Sequence, residues 1–218
     1  EIANFKDGIV TKSKRKLNEF DIFIRNNQAA PIIEKVSEIE KPKHYLNKVI
    51  SSSKPFGIRG FYEPQITGVP CHFAQRVGLK FASREDVTDR FNFLDKWKLL
   101  IPKSPIAGQT DFSKPVGFYY DGNTHIAKPG ECCTETYLVA YASKSKEEVE
   151  SFKSYLFTKI VRFLLLQAAV SQDITREKFM FVPHLISYDR IYDDTFLRNR
   201  WKITEEEWDL IKSKIRDI

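Results

Sequence analysis

The sequence predicts an α+β fold, with a β-rich middle and long loops packed on N-terminal and C-terminal helices. Three observations carry that expectation. Near both ends of the chain, apolar residues recur at three- and four-residue steps. Between those ends, short apolar runs are punctuated by Gly and Pro, as at Gly68-Val69-Pro70, Asp121-Gly122-Asn123 and Pro129-Gly130. Apolar residues make up 42% of the 218, with 17 Phe and 9 Tyr, so one domain can bury a proper core.

The elements follow in order. Residues 20–24, FDIFI, alternate well enough for a short strand ahead of an Asn-Asn turn. From Ala29 the spacing of Ile32, Ile33, Val36 and Ile39 predicts a helix, with Pro31 tolerated in its first turn. A short helical stretch at 45–50 leads into a Ser-rich loop. In the middle, strands are expected at 77–82, 98–101, 117–120 and 134–142. The last sets Tyr137, Val139 and Tyr141 against Leu138 and Ala140, as a strand buried on both faces would. Ser145 with Glu148 reads as a capping box. Phe152, Tyr155, Leu156, Ile160, Phe163, Leu164 and Gln167 then form one helical stripe. A second box, Thr204 with Glu207, opens a final helix through Trp208, Ile211 and Ile215. The single domain 1–218 thus divides into 1–60, 61–142 and 143–218.

Composition excludes several classes of function. No apolar run approaches the roughly eighteen residues of a membrane span. Signal-peptide features are missing, and a start at Glu1 rather than Met leads us to expect a fragment of a longer protein. Cys71, Cys132 and Cys133 fit neither metal-ligand spacing nor a disulfide framework, so reduced, buried thiols of a cytoplasmic protein are expected. Neither GxxxxGK[ST] nor GxGxxG occurs. No base pairs with Cys133 or Ser53 to make a nucleophile. Glu85, Asp86 and Lys80 could be cast as a metal-dependent nuclease cluster, but acidic residues after a strand more often cap a turn. We therefore assign no catalytic and no metal-binding residues.

Charge points elsewhere. The net charge is +6, and residues 1–60 carry 12 Lys/Arg against 7 Asp/Glu, while the rest is nearly balanced. The surplus surrounds residues 49–62, VISSSKPFGIRGFY. Serine hydroxyls there compete for backbone hydrogen bonds, Pro55 biases Lys54 towards an extended backbone, and Gly57 and Gly60 permit close approach. A basic, hydroxyl-bearing loop of this kind suits a polyanion.

Four stretches resemble a recurrent region of adenine-specific DNA methyltransferases from restriction–modification systems. They are VISSSKPFG at 49–57, CTETYLV at 133–139, FKSYLFTKIVRFLLL at 152–166 and SQDITREKFMFVP at 171–183. The ending WKITEEEWDLIKSKI, at 201–215, is similar to that family's closing helix. The likeness spans most of 20–215 and lies in the C-terminal target-recognition domain of those enzymes. About 61–130 departs from the pattern, as a sequence-reading region would. The resemblance implies double-stranded DNA as a partner, along with a catalytic methyltransferase domain of the same parent chain. S-adenosylmethionine would belong to that parent domain and not to this chain, which lacks an Asn/Asp-Pro-Pro-aromatic motif. Whether the parent also cleaves DNA stays open.

On that reading, Ser51, Ser52 and Ser53 are hydroxyl donors, Lys54 a phosphate charge and Arg59 a guanine reader. In the variable middle, Arg76, Lys80, Lys103, Gln109, Thr110 and Lys114 are the polar candidates, with Arg76 suited to guanine and Gln109 to adenine. The CTETY stretch and Gln172-Asp173 are read as structural. Two alternatives remain: a metal-dependent DNA endonuclease domain, and a protein-docking module of the same system.

Overall fold

The computed structural model describes residues 2–6, 9–13, 19–24, 26–106, 108, 109, 111, 114–118, 120, 122–169 and 171–218. It is α+β, and its organising layer is a buried antiparallel sheet. Strand β5 (Trp97–Pro102) lies between β6 (His125–Ala127) and β8 (Tyr137–Ser143). Leu99, Ile101, Leu138 and Ala140 face one core, while Leu100, Val139 and Tyr137 face another. Both sets are essentially inaccessible, so consecutive residues of β5 and β8 are apolar. A register shift between Leu99 and Leu100 marks a bulge in their pairing.

The first core is covered by helices. Helix α1 (Ala29–Glu40) buries Ile32, Ile33 and Val36, but Ile39 of the same expected stripe is 37% exposed. The 45–50 stretch forms a single 3₁₀ turn at Leu46–Lys48. The stripe read as one helix over 152–167 is in fact two, α2 (Lys146–Phe157) and α3 (Lys159–Ala168). Thr158 separates them. Its hydroxyl donates to Tyr155 O and accepts from Val161 N, so it ends one helix while capping the next. Asp194 fixes the break by accepting from Lys159 N and Ile160 N. Asp194 begins α4 (Asp194–Arg200), which is followed by α5 (Glu205–Lys214) with the full Thr204–Glu207 capping box. No helix among the described residues is long and apolar enough to cross a membrane.

The second core lies beneath a smaller sheet, in which β3 (Val69–His72) pairs antiparallel with β4 (Leu79–Ala82) and parallel with β7 (Cys132–Cys133). All three cysteines are free and buried there. Antiparallel strands β1 (Ile2–Lys6) and β2 (Ile9–Ser13) precede the rest.

Two expected strands are corrected. Residues 20–24 form bends and irregular backbone, with Phe23 exposed and Ile24 turned into the core. The described part of 117–120 is not a strand either. Its neighbour Val116 bridges to Ile215, so that segment lies along the end of α5 instead of joining a sheet.

Candidate nucleic-acid interface

The Ser-rich loop is fastened by its apolar residues. Phe56 is fully buried and Ile58 2% exposed in the second core, while Ser53, Gly57, Arg59 and Gly60 face outward. Ser51 does not face outward. Its N–H donates to Val139 O at 2.9 Å, and its hydroxyl accepts from Val139 N at 2.9 Å, so it extends the edge of β8. Lys54 corrects the extended expectation, for its φ is 58° and its carbonyl accepts from Gly57 N to close a tight turn. Gly57, with φ 81°, packs on the chain itself: a Cβ there would meet Thr88 Oγ1 at 2.6 Å.

Glu135 ties the loop down. Its N–H donates to Ile58 O, one carboxylate oxygen accepts from Gly60 N at 3.0 Å, and the other stands 3.9 Å from Lys54 Nζ. Of the CTETY stretch, expected as strand, Cys133 ends β7 and Tyr137 begins β8, while the residues between them form a turn whose Glu135 holds the loop.

Beside this loop opens a cleft of about 440 Å³. Gly60, Gln75, Lys103, Ser104, Glu135 and Asp173 contribute to its walls, and Tyr137 reaches it from β8. The Ser104 hydroxyl donates to Asp173, and Ile174 N donates to Lys103 O, which holds the two walls together. Beneath Tyr137 the His125 ring lies with Nε2 3.2 Å from the hydroxyl, stacked on His72, whose Nε2 is 2.9 Å from Glu131. Burial pushes the Tyr137 hydroxyl up and, with His72 nearby, the His125 imidazole down. Both shifts favour the neutral forms of these two groups, while the cleft walls carry Lys103, Glu135 and Asp173.

The predicted residues fall into three groups. Of the cations, Lys103 lines the cleft, Lys54 stands 3.9 Å from the lining residue Glu135, and Arg59 and Arg76 are exposed next in sequence to the lining residues Gly60 and Gln75. Ser53 is exposed and Ser52 half-buried in the same loop. Lys80 stands exposed on β4, just past the hairpin turn that carries Arg76. The third group is committed elsewhere. The Gln109 amide nitrogen lies 3.2 Å from both Asp111 O and Pro115 O, and its oxygen accepts from Gly117 N, so its polar atoms fold its own loop. This corrects its assignment as an adenine reader. Lys114 stands 3.7 Å from Asp111, and Thr110 lies outside the described residues.

Asp86 accepts the Tyr62 hydroxyl at 2.7 Å, and among the described residues no group of three or more His, Cys, Asp or Glu could hold a metal ion.

One exposed residue escaped the sequence reading. Phe61 is 77% exposed, with the Arg59 guanidinium 5.8 Å from its ring centroid. Nothing in the sequence separates it from the buried Phe56 five positions earlier.

Comparison with family models, with curated proteins and with solved structures yields no match to this chain.

Proposed function

We propose that this chain is a sequence-specific double-stranded DNA recognition module of an adenine-specific DNA methyltransferase or restriction–modification enzyme. Catalysis and S-adenosylmethionine would belong to a separate domain of the parent. The observation that carries the reading is that Arg59 and Arg76 are exposed next in sequence to Gly60 and Gln75, which line one polar cleft with Lys103, and that none of these three cations has a carboxylate partner among the described residues. Guanidinium and ammonium groups left without partners at one site are available to phosphates, which fix register and supply most of the affinity. The cleft also carries two carboxylates, Glu135, with Lys54 at 3.9 Å, and Asp173, which accepts from the Ser104 hydroxyl. The Gln75 amide in the cleft and the exposed Ser53 hydroxyl of the neighbouring loop are of the types that suit base edges in the major groove.

The test is a salt titration of binding to a pool of random-sequence duplexes, read by fluorescence anisotropy. Contacts from Arg59, Arg76, Lys80 and Lys103 give an expected log–log slope of roughly −3.6. Each of Arg59→Ala, Arg76→Ala and Lys103→Ala should reduce it by about 0.9, and Lys114→Ala should leave it unchanged. A slope near zero, or equal effects of all four substitutions, would refute the proposal.

A further inference from the structure

The cleft carries charges of both signs, which a site for phosphate alone would not. Lys103 lines it against two carboxylates, Glu135 and Asp173. Glu135 is occupied, for it accepts from Gly60 N and stands 3.9 Å from Lys54. Asp173, read from the sequence as structural, does hold Ser104, whose hydroxyl donates to one of its carboxylate oxygens. The next residue, Ile174, donates its N–H to Lys103 O at 2.8 Å, and Lys103 N donates to Thr136 O at 2.9 Å. A donor side chain and an acceptor side chain thus rise from backbone that is stitched together just beyond the end of β5. Among the described residues no ion pair joins Lys103 to Asp173, so neither consumes the other.

That combination suits the edge of a base pair. A carboxylate set against a polyanion weakens phosphate binding, and it accepts only from a donor. In the major groove the donors are exocyclic amino groups, cytosine N4 and adenine N6. The neighbouring ammonium decides between them. It only donates, and guanine offers it two acceptors, O6 and N7, beside the cytosine amino group of the same pair. An A·T pair offers adenine N7 alone, and beyond the adenine amino group thymine brings a further acceptor and a methyl group. We infer that Lys103 and Asp173 read one G·C pair in the major groove, Lys103 donating to guanine and Asp173 accepting from cytosine N4. The inference rests on the DNA reading above and adds which residues choose a base pair, and which pair they choose. Arg59 and Arg76, exposed outside the cleft lining, are left for phosphates. An ammonium in the groove displaces counterions whichever acceptor it meets, so the salt slope expected of Lys103 stands.

The experiment selects a preferred site for the wild-type chain from a pool of random-sequence duplexes, then replaces each of its base pairs in turn. At one G·C position, exchange for A·T should weaken wild-type binding on the order of 10- to 100-fold. Asp173→Asn should abolish that one preference and keep the others. It should also bind the random pool at least as tightly as wild type, because a negative charge facing the duplex is gone. Lys103→Ala should lose the same preference. The new amide still offers an oxygen to the Ser104 hydroxyl, and residue 173 is exposed, so Asp173→Asn leaves the cleft wall intact. With a normal salt slope, a preferred site lacking a G·C pair, no preferred site at all, or a G·C preference that survives Asp173→Asn would overturn the base-pair assignment and leave DNA binding standing. Equal weakening of all duplexes by Asp173→Asn, the mark of a purely structural carboxylate, would do the same. A salt slope near zero for the wild-type chain would overturn both readings.

Discussion

Gly57→Ala separates a loop glycine that the fold requires from one, Gly60, that has room for a Cβ. Gly57 has φ 81°, a left-handed backbone that costs an L-residue about 1–2 kcal/mol. An added Cβ would also stand 2.6 Å from Thr88 Oγ1, with Asp86 O next at 3.5 Å. Thr88 is exposed and its side chain can turn away, at roughly 0.5–1.5 kcal/mol if the new rotamer is off its well. The total is about 2–3 kcal/mol of lost stability. Thr88→Ala in the same chain should recover the overlap and leave the backbone strain, about 1–2 kcal/mol. Gly60→Ala is the control. Its nearest neighbours, in Thr136 and Glu135, would lie at 3.6–3.7 Å, ordinary contact distance. Stability should then be unchanged or rise by up to about 1 kcal/mol as the unfolded chain loses freedom. Urea unfolding followed by tryptophan fluorescence measures all four, with the buried Trp201 as reporter. If Gly57→Ala is as stable as wild type, or Gly60→Ala costs as much, the packing account of this loop is wrong.

Ser51→Ala should cost about 1–3 kcal/mol, since it orphans the buried Val139 N–H; an unchanged urea midpoint would contradict that bond. Lys98 gives a pH dependence. Its buried ammonium donates to Leu94 O, Lys96 O and Lys128 O, and burial lowers its pKa to about 8, below the ordinary lysine value. Between the two values the unfolded chain binds more protons, so stability should rise as pH increases through that window. Relative to Lys98→Met, wild type should gain about 2 kcal/mol between roughly pH 7.5 and 9.5, and a constant difference between the two proteins would refute it.

The legible parts of this fold are those that local chemistry determines. Helices α1 and α5 follow from their three- and four-residue spacing, and the Thr204–Glu207 box is reciprocal as expected. At Ser145 the box is only half made, because Tyr141 and Ser143 take the Glu148 carboxylate from outside the helix. The break at Thr158 depends on Asp194, more than thirty residues away, which no local pattern reveals. Strand β3 was hidden by Pro70, which argues against a central strand. The structure resolves this, since β7 pairs only with Cys71 and His72 and leaves Pro70 with a single neighbour, β4.

The candidate site shows the same division. Composition marked the loop at 51–60, because clustered Ser, Gly and Pro force irregular backbone wherever they occur. It could not rank the loop's residues, since rank depends on partners supplied from far along the chain. Lys54 and Arg59 look equivalent in sequence, yet Glu135 stands beside Lys54 and leaves Arg59 to Phe61. Gln109 looked free until the carbonyls of its own loop took its amide. Glu135 therefore does more to define this loop than any of its cations does. It holds Gly60 and Lys54 with one carboxylate, and Tyr62 is fastened to Asp86, so Arg59 and Phe61 lie between anchored neighbours.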